Sequence, residues 1–204
     1  MKDIFIRGFL IGLAIAAPVG PIGVLVIRRT LANGRLIGLV SGLGAATADA
    51  CYGSLAAFGL TLVSSAMVRQ QEWLRLVGGI FLCYLGFRTF LAKPGETAPS
   101  QGSRGILSAY SSTFFLTLTN PLTILSFAAI FAGLGLASSS DDYLAATLMV
   151  LGVFCGSATW WLLLSGSVGL LRQRVSPTMM IWINRISGTI IFGFGVFALV
   201  TLLI

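Results

Sequence analysis

Histidine is absent from the 204-residue chain, cysteine occurs three times, and only six residues carry a carboxylate. Each scarcity removes a class of chemistry. Cys51, Cys83 and Cys155 fall in separate apolar runs without a C-x-x-C, so neither a metal-ligand cluster nor a disulfide framework can be read. The thiols read as small membrane-embedded hydrophobes, and no cofactor is expected. Charge is scarce as well: 9% of residues are charged, against about 25% in an average soluble domain.

What the chain has instead is apolar residues, 56% of the total, with a mean hydropathy of +0.97. Crossing a hydrocarbon core as helix takes about 20 apolar residues, and the chain offers roughly six such runs with little left for a soluble domain. It is therefore read as an all-α, multi-pass protein of the lipid bilayer. The predicted spans are 4–27, 36–63, 74–92, 108–136, 143–170 and 181–203. Lys2 followed by an apolar stretch with Ala14-Ile15-Ala16 has the form of a signal peptide. The run continues to Ile27, however, and the segment is expected to be retained.

Lys and Arg outnumber acids 13 to 6, for a net charge of +7. The basic residues lie at the ends of apolar runs and not in one patch, which argues against nucleic acid and for membrane topology. The connection Arg28 to Arg35 and the polar loop Lys93 to Arg104 both read as cytoplasmic. One side of a six-span arrangement collects Arg28, Arg29, Arg35, Arg88, Lys93, Arg104, Arg172, Arg174 and Arg185; the other has Lys2, Arg7, Arg69 and Arg75. The positive-inside rule then places both termini on the non-cytoplasmic side. Ser138 to Asp142 lacks positive charge, agrees with that placement, and suits the N-cap of the fifth helix.

The first run contains Ala17-Pro18-Val19-Gly20-Pro21. Two prolines and a glycine in five residues must break or kink a helix there. A break within a membrane is tolerable only where it faces other helices or a polar cavity, so it marks a candidate site. Asn120-Pro121 in the fourth run is its counterpart. An internal repeat supports the pairing: Arg75, Gly78, Ile80 and Phe87 align with Arg185, Gly188, Ile190 and Phe197, and Gly42 with Gly152. A unit of three crossings repeated once is necessarily inverted, the pattern of secondary transporters. Six helices as two inverted three-helix repeats are thus expected in a single domain over 1–204, with repeats near 4–92 and 108–203 about a loop at 93–107.

Asp49 is the only acid inside a predicted span. A carboxylate at that depth costs roughly 2.5–3.5 kcal/mol unless paired, hydrated or protonated. It either carries a proton or binds an ammonium group, or else it serves structure through a helix-to-helix hydrogen bond or an ion pair with an arginine. Gly38, Gly42, Ala45, Asp49, Gly53 and Ala56 share a face, and small residues at that spacing turn Asp49 toward the bundle. Tyr52, a turn on, either hydrogen-bonds into the same space or packs as an ordinary aromatic. Thr113, Thr117 and Asn120, with Thr123 nearby, form a polar stripe that lines a site or merely satisfies carbonyls freed by proline. Arg75 and Arg185 read as snorkelling arginines, with gating as the alternative. Arg28-Arg29 is explained by topology and the helix dipole.

Ala17-Pro18-Val19-Gly20-Pro21, Arg28-Arg29, Gly34-Arg35, Gly38, Gly42-Leu43-Gly44 and Asp49 together resemble the N-terminal signature of the lysine-exporter (LysE/RhtB) family of amino-acid exporters. Asn120-Pro121 and the helix starts at Leu74-Arg75 and Asn184 to Gly188 are also similar to that family. The chain departs from the compact Pro-Gly-Pro usual there, and Ala48 stands where glycine often precedes the acid. The resemblance implies a transporter, not an enzyme, in the bacterial inner membrane, exporting amino acids or related zwitterions by proton antiport. Pro18, Gly20, Pro21, Asp49, Asn120 and Pro121 carry over as site residues; Thr117 and Tyr52 join them on spacing. Three rivals are a membrane thiol-disulfide electron carrier, which needs a cysteine pair, an inorganic cation exporter, for which the ligands are too few, and a purely structural membrane subunit, which would transport nothing. The glycine-rich helices pack either within one chain or between two copies in a homodimer.

Overall fold

In the computed structural model, the described residues are 1–18, 20–57, 71–92, 103–120, 123–124, 126–127 and 143–202. Among them the chain is helical, with no strand. The helices are α1 (Lys2–Ala16), α2 (Pro21–Asn33), α3 (Arg35–Ala57), α4 (Gln71–Phe90), α5 (Ser103–Leu118), α6 (Tyr143–Leu171) and α7 (Pro177–Val200), with a 3₁₀ turn at Arg172–Arg174. Three stretches, Arg35–Leu55, Tyr143–Arg174 and Pro177–Val200, are long and apolar enough to cross a bilayer, and α1 with α2 forms a fourth, bent by 80°. Gly105–Leu118 is a shorter apolar segment. The far ends of the second and fourth predicted spans, and Ser138 to Asp142, lie outside the described residues.

The break expected at Ala17 to Pro21 is present, and it divides the first predicted span into two helices. Gly20, extended at φ −96° and ψ −165°, is the N-cap of α2, and Pro21 takes the first helical position, where a missing N–H costs nothing. The predicted connection from Arg28 to Arg35 is corrected. Helix continues to Asn33, and the link to α3 is the single residue Gly34 at φ +99°, a left-handed conformation that glycine adopts without steric penalty. α5 likewise starts at Ser103, inside the predicted loop. α7 starts at Pro177 behind Ser176, whose hydroxyl accepts from the Met179 amide at 3.2 Å.

Close backbone approach holds the bundle together. Gly8 and Gly12 on α1 face Gly152 and Gly156 on α6; a Cβ at any of the four would collide with the partner's backbone. Four-residue spacing on both sides, with low numbers meeting low, means that the two helices run in the same sense. On α4 and α7, Gly79 meets Gly195 and Gly86 meets Gly188, so these two run in opposite senses. α3 lies between α5, where Gly44 abuts the Tyr110 carbonyl, and α6, where Gly42 abuts Trp161. The interior mixes polar side chains (Ser41, Asp49, Thr113, Asn184) with apolar ones (Leu25, Ile37, Ile191), while other large apolar side chains such as Leu151, Leu162 and Phe197 point outward. An apolar outer surface suits a bilayer, where lipid tails solvate leucine as well as protein does.

Gly12→Val and Gly156→Val should each destabilise the protein by about 1–3 kcal/mol through overpacking. Gly166→Ala, at a glycine with open space around it, should be neutral or slightly stabilising. Thermal melting in detergent compares the three.

Candidate functional site

Two helix ends meet where the first span is broken. The last bond of α1 runs from the Ala17 amide to the Leu13 carbonyl, and the first of α2 from the Val24 amide to the Gly20 carbonyl. Pro21 has no N–H and α2 has no side-chain cap, so the amides of Ile22 and Gly23 precede the intrahelical ladder and have no partner within the helix. Carbonyls of the last turn of α1 are left in the same way. The break thus presents donors and acceptors side by side.

A cavity of about 140 Å³ opens on this break. Pro18, Gly20, Pro21, Ile22 and Gly23 line it from the break, together with Ile15 and Ala16 at the end of α1. α3 contributes Ala45 and Asp49, and α6 contributes Trp161. The end of α5 adds Thr117 and Asn120, and the chain beyond it adds Thr123 and Ser126. The polar stripe expected on the fourth span therefore reaches the same space as the first break. Asn120 itself turns the chain: its amide donates to the Thr117 carbonyl, and its own carbonyl accepts from the Ile124 amide.

Asp49 is 3% exposed and accepts from Ser157 Oγ at 2.7 Å; that hydroxyl accepts in turn from Trp161 Nε1 at 3.1 Å. Among the described residues its partner is this helix-to-helix hydrogen bond and not an arginine. One hydroxyl leaves the carboxyl short of the partners that a fully buried anion needs. Ser157 and Trp161 are participants that the sequence reading missed. Their only signal was a polar residue and an N–H-bearing ring four residues apart on an otherwise apolar helix.

Tyr52 does not line the cavity. Its hydroxyl donates to the Leu118 carbonyl at the end of α5, and its ring stacks on Phe127 with centroids 5.4 Å apart. It therefore clamps the second break from both sides. Pro121 and Val19 lie outside the described residues.

Arg28 and Arg29 need more than topology to explain them. With α2 running to Asn33 they sit inside the helix, and Arg29 Nη1 donates to Ser41 Oγ (3.0 Å), the Ala109 carbonyl (3.0 Å) and Thr113 Oγ1 (2.8 Å), while Nη2 donates to Ser112 Oγ (2.9 Å). It ties α2 to α3 and α5. Arg172 reaches the Leu31 and Ala32 carbonyls at 3.3 and 3.5 Å and closes the C-terminal end of α2. Arg185 is exposed and stacks over Trp182 at 5.9 Å. Cys51, Cys83 and Cys155 are free thiols, and among the described residues no three His, Cys, Asp or Glu side chains gather.

A family model described as "LysE type translocator" matches residues 13–202. The "Putative amino acid efflux protein YcgF" of Bacillus subtilis is 28% identical over 95% of this chain and 93% of its own length. The "Uncharacterized membrane protein YahN" of Escherichia coli is 30% identical over 85% of this chain and 78% of its own. A Synechocystis membrane protein, slr1627, is 25% identical over 92% and 91%. No solved structure matches.

Tyr52→Phe should destabilise the protein by about 1–3 kcal/mol, because the Leu118 carbonyl loses its donor where no water replaces it. The check is a melting-temperature difference against a Tyr84→Phe control, whose tyrosine is exposed.

Proposed function

The chain belongs to the LysE type translocator family, and from that membership we propose that it exports small amino acids or related zwitterions by proton antiport. The carrying observation is that one cavity holds both a helix N-terminus and a buried acid, Asp49. The α2 amides at Ile22 and Gly23 suit a carboxylate, which the positive end of the helix dipole also favours. Asp49, Asn120 and the last carbonyls of α1 suit an ammonium group. Asp49 then exchanges a proton for the substrate, because a buried carboxyl held by one hydroxyl is stable either neutral or beside a cation. The efflux protein of Bacillus subtilis supports the substrate class by its description. The volume of about 140 Å³ is close to that of a cavity that holds benzene, about 150 Å³, so a compact amino acid fits and a long cationic one is disfavoured.

The same reading takes the bundle as two inverted repeats of three spans. Helix packing supports it: α1 runs alongside α6 and α3 alongside α5, so the first half of each broken span lies on the long helix of the other half. The glycine pairs 79/86 and 188/195 share a seven-residue spacing, one residue out of register with the alignment of Arg75 on Arg185. Arg28, which is buried, and Arg29, which is half-buried and bonded to α3 and α5, drop out of the topology balance. Arg35, Arg88, Lys93, Arg104, Arg172, Arg174 and Arg185 still outweigh Lys2, Arg7, Arg69 and Arg75, which favours both termini outside the cytoplasm in the cell membrane.

In proteoliposomes with an imposed proton gradient, the wild type should move alanine or serine faster than lysine. Asp49→Asn should lower proton-driven flux at least tenfold. Full flux in Asp49→Asn would remove the coupling role, and equal flux of lysine would remove the size argument.

A further inference from the structure

Arg28 is 8% exposed, yet no acid accompanies it among the described residues. Its Nε donates to Asn184 Oδ1 at 2.9 Å, and Asn184 Nδ2 donates to the Ala92 carbonyl at 3.0 Å, which sets the amide with its oxygen toward the guanidinium. Nη2 of Arg28 is buried without a hydrogen-bond partner. The charge within electrostatic reach on α4 is another cation, Arg88. Arg29, next in the chain, is held by neutral acceptors only. Asp49 is bonded to Ser157, and Asp3 and Glu72 open α1 and α4. Glu96, Asp141 and Asp142 lie outside the described residues.

A buried guanidinium with an unused donor and a like charge beside it is costly, and an oxyanion is the group that would relieve all three deficits. Position adds to the argument. Arg28 follows Pro21 by seven residues, two turns along the same face of α2 and roughly 10 Å from the cavity. Arg88 is exposed and bonded to Tyr84, so positive charge leads inward from the surface to Arg28.

We propose that Arg28, with Asn184 and Arg88, forms an oxyanion-binding site where α2, α4 and α7 meet. The shared chemistry is a carboxylate or phosphate group accepting from Nη2 of Arg28. It has two sources: the carboxylate of the transported zwitterion on its path to or from the cavity, which rests on the export reading, or the headgroup phosphate of an anionic lipid at the end of α4 where Arg88 is exposed.

The test uses the purified full chain, with alanine against alaninamide followed by thermal melting, and phosphatidylglycerol against diacylglycerol followed by native mass spectrometry. At least one pair should show oxyanion-dependent binding, weakened roughly tenfold or more by Arg28→Gln and less by Arg28→Lys, which keeps the charge but loses the fork. If Arg28→Gln fails to fold, the partial loss in Arg28→Lys carries the comparison. Alanine binding lost in Asp49→Asn, with both alanine and phosphatidylglycerol binding unchanged in the two Arg28 variants, would sink this site and leave the export reading. Phosphatidylglycerol held through Arg28 with no alanine binding at all would do the reverse. Absence of oxyanion preference in both pairs overturns the proposal, as does binding that emerges only in Glu96→Gln, which would make Glu96 the internal partner.

Discussion

Hydrocarbon offers no hydrogen bonds, and the arrangement of this protein follows from that one deficit. Every helix end or charge below the surface needs a partner from the chain itself. The Leu118 carbonyl, freed by the second break, finds the Tyr52 hydroxyl; the last carbonyls of α2 find Arg172; Arg29 finds three hydroxyls and a carbonyl on two neighbouring helices. Among the described residues, the groups answered only in part or not at all are the informative ones. They collect at the start of α2, at Asp49 and at Arg28, and these are the places argued above to receive a ligand, a proton or an oxyanion.

Glycine sets how close those partners can come. Where α1 meets α6 and α4 meets α7, backbones touch with no side chain between them. Between α3 and α6, where Gly42 abuts Trp161, a polar side chain can likewise be short, and Ser157 reaches Asp49 directly.

Much of this was legible in the residues. Small residues at Gly42, Ala45 and Gly53 turned Asp49 inward, and Thr117 with Asn120 marked the polar face of the fourth span, because helical periodicity is read directly from spacing. Hydropathy, however, reports how apolar a run is and not where its axis turns. The break at Pro18 to Pro21 is legible from its prolines, but hydropathy ends the first span at Ile27 and leaves Arg28 and Arg29 in a loop. Gly34 was the overlooked signal: as a C-cap it moves the end of α2 to Asn33 and carries both arginines inside. Partners distant in sequence, Ser157 for Asp49 and Asn184 for Arg28, follow from the packing of whole helices, which no local pattern encodes.

The glycine contact between α1 and α6 has a mechanical side. α1 is locked to α6, while α2, the continuation of the same span, is tied by Arg29 and Arg172 to α3, α5 and the turn after α6. Both arms touch α6, but α2 packs on α3 and α7 as well, so the two arms answer to partly different neighbours and the break between them acts like the pin of a joint. Because the cavity sits on that pin, any slippage between the arms is felt first as a change in its volume, before either arm has to bend.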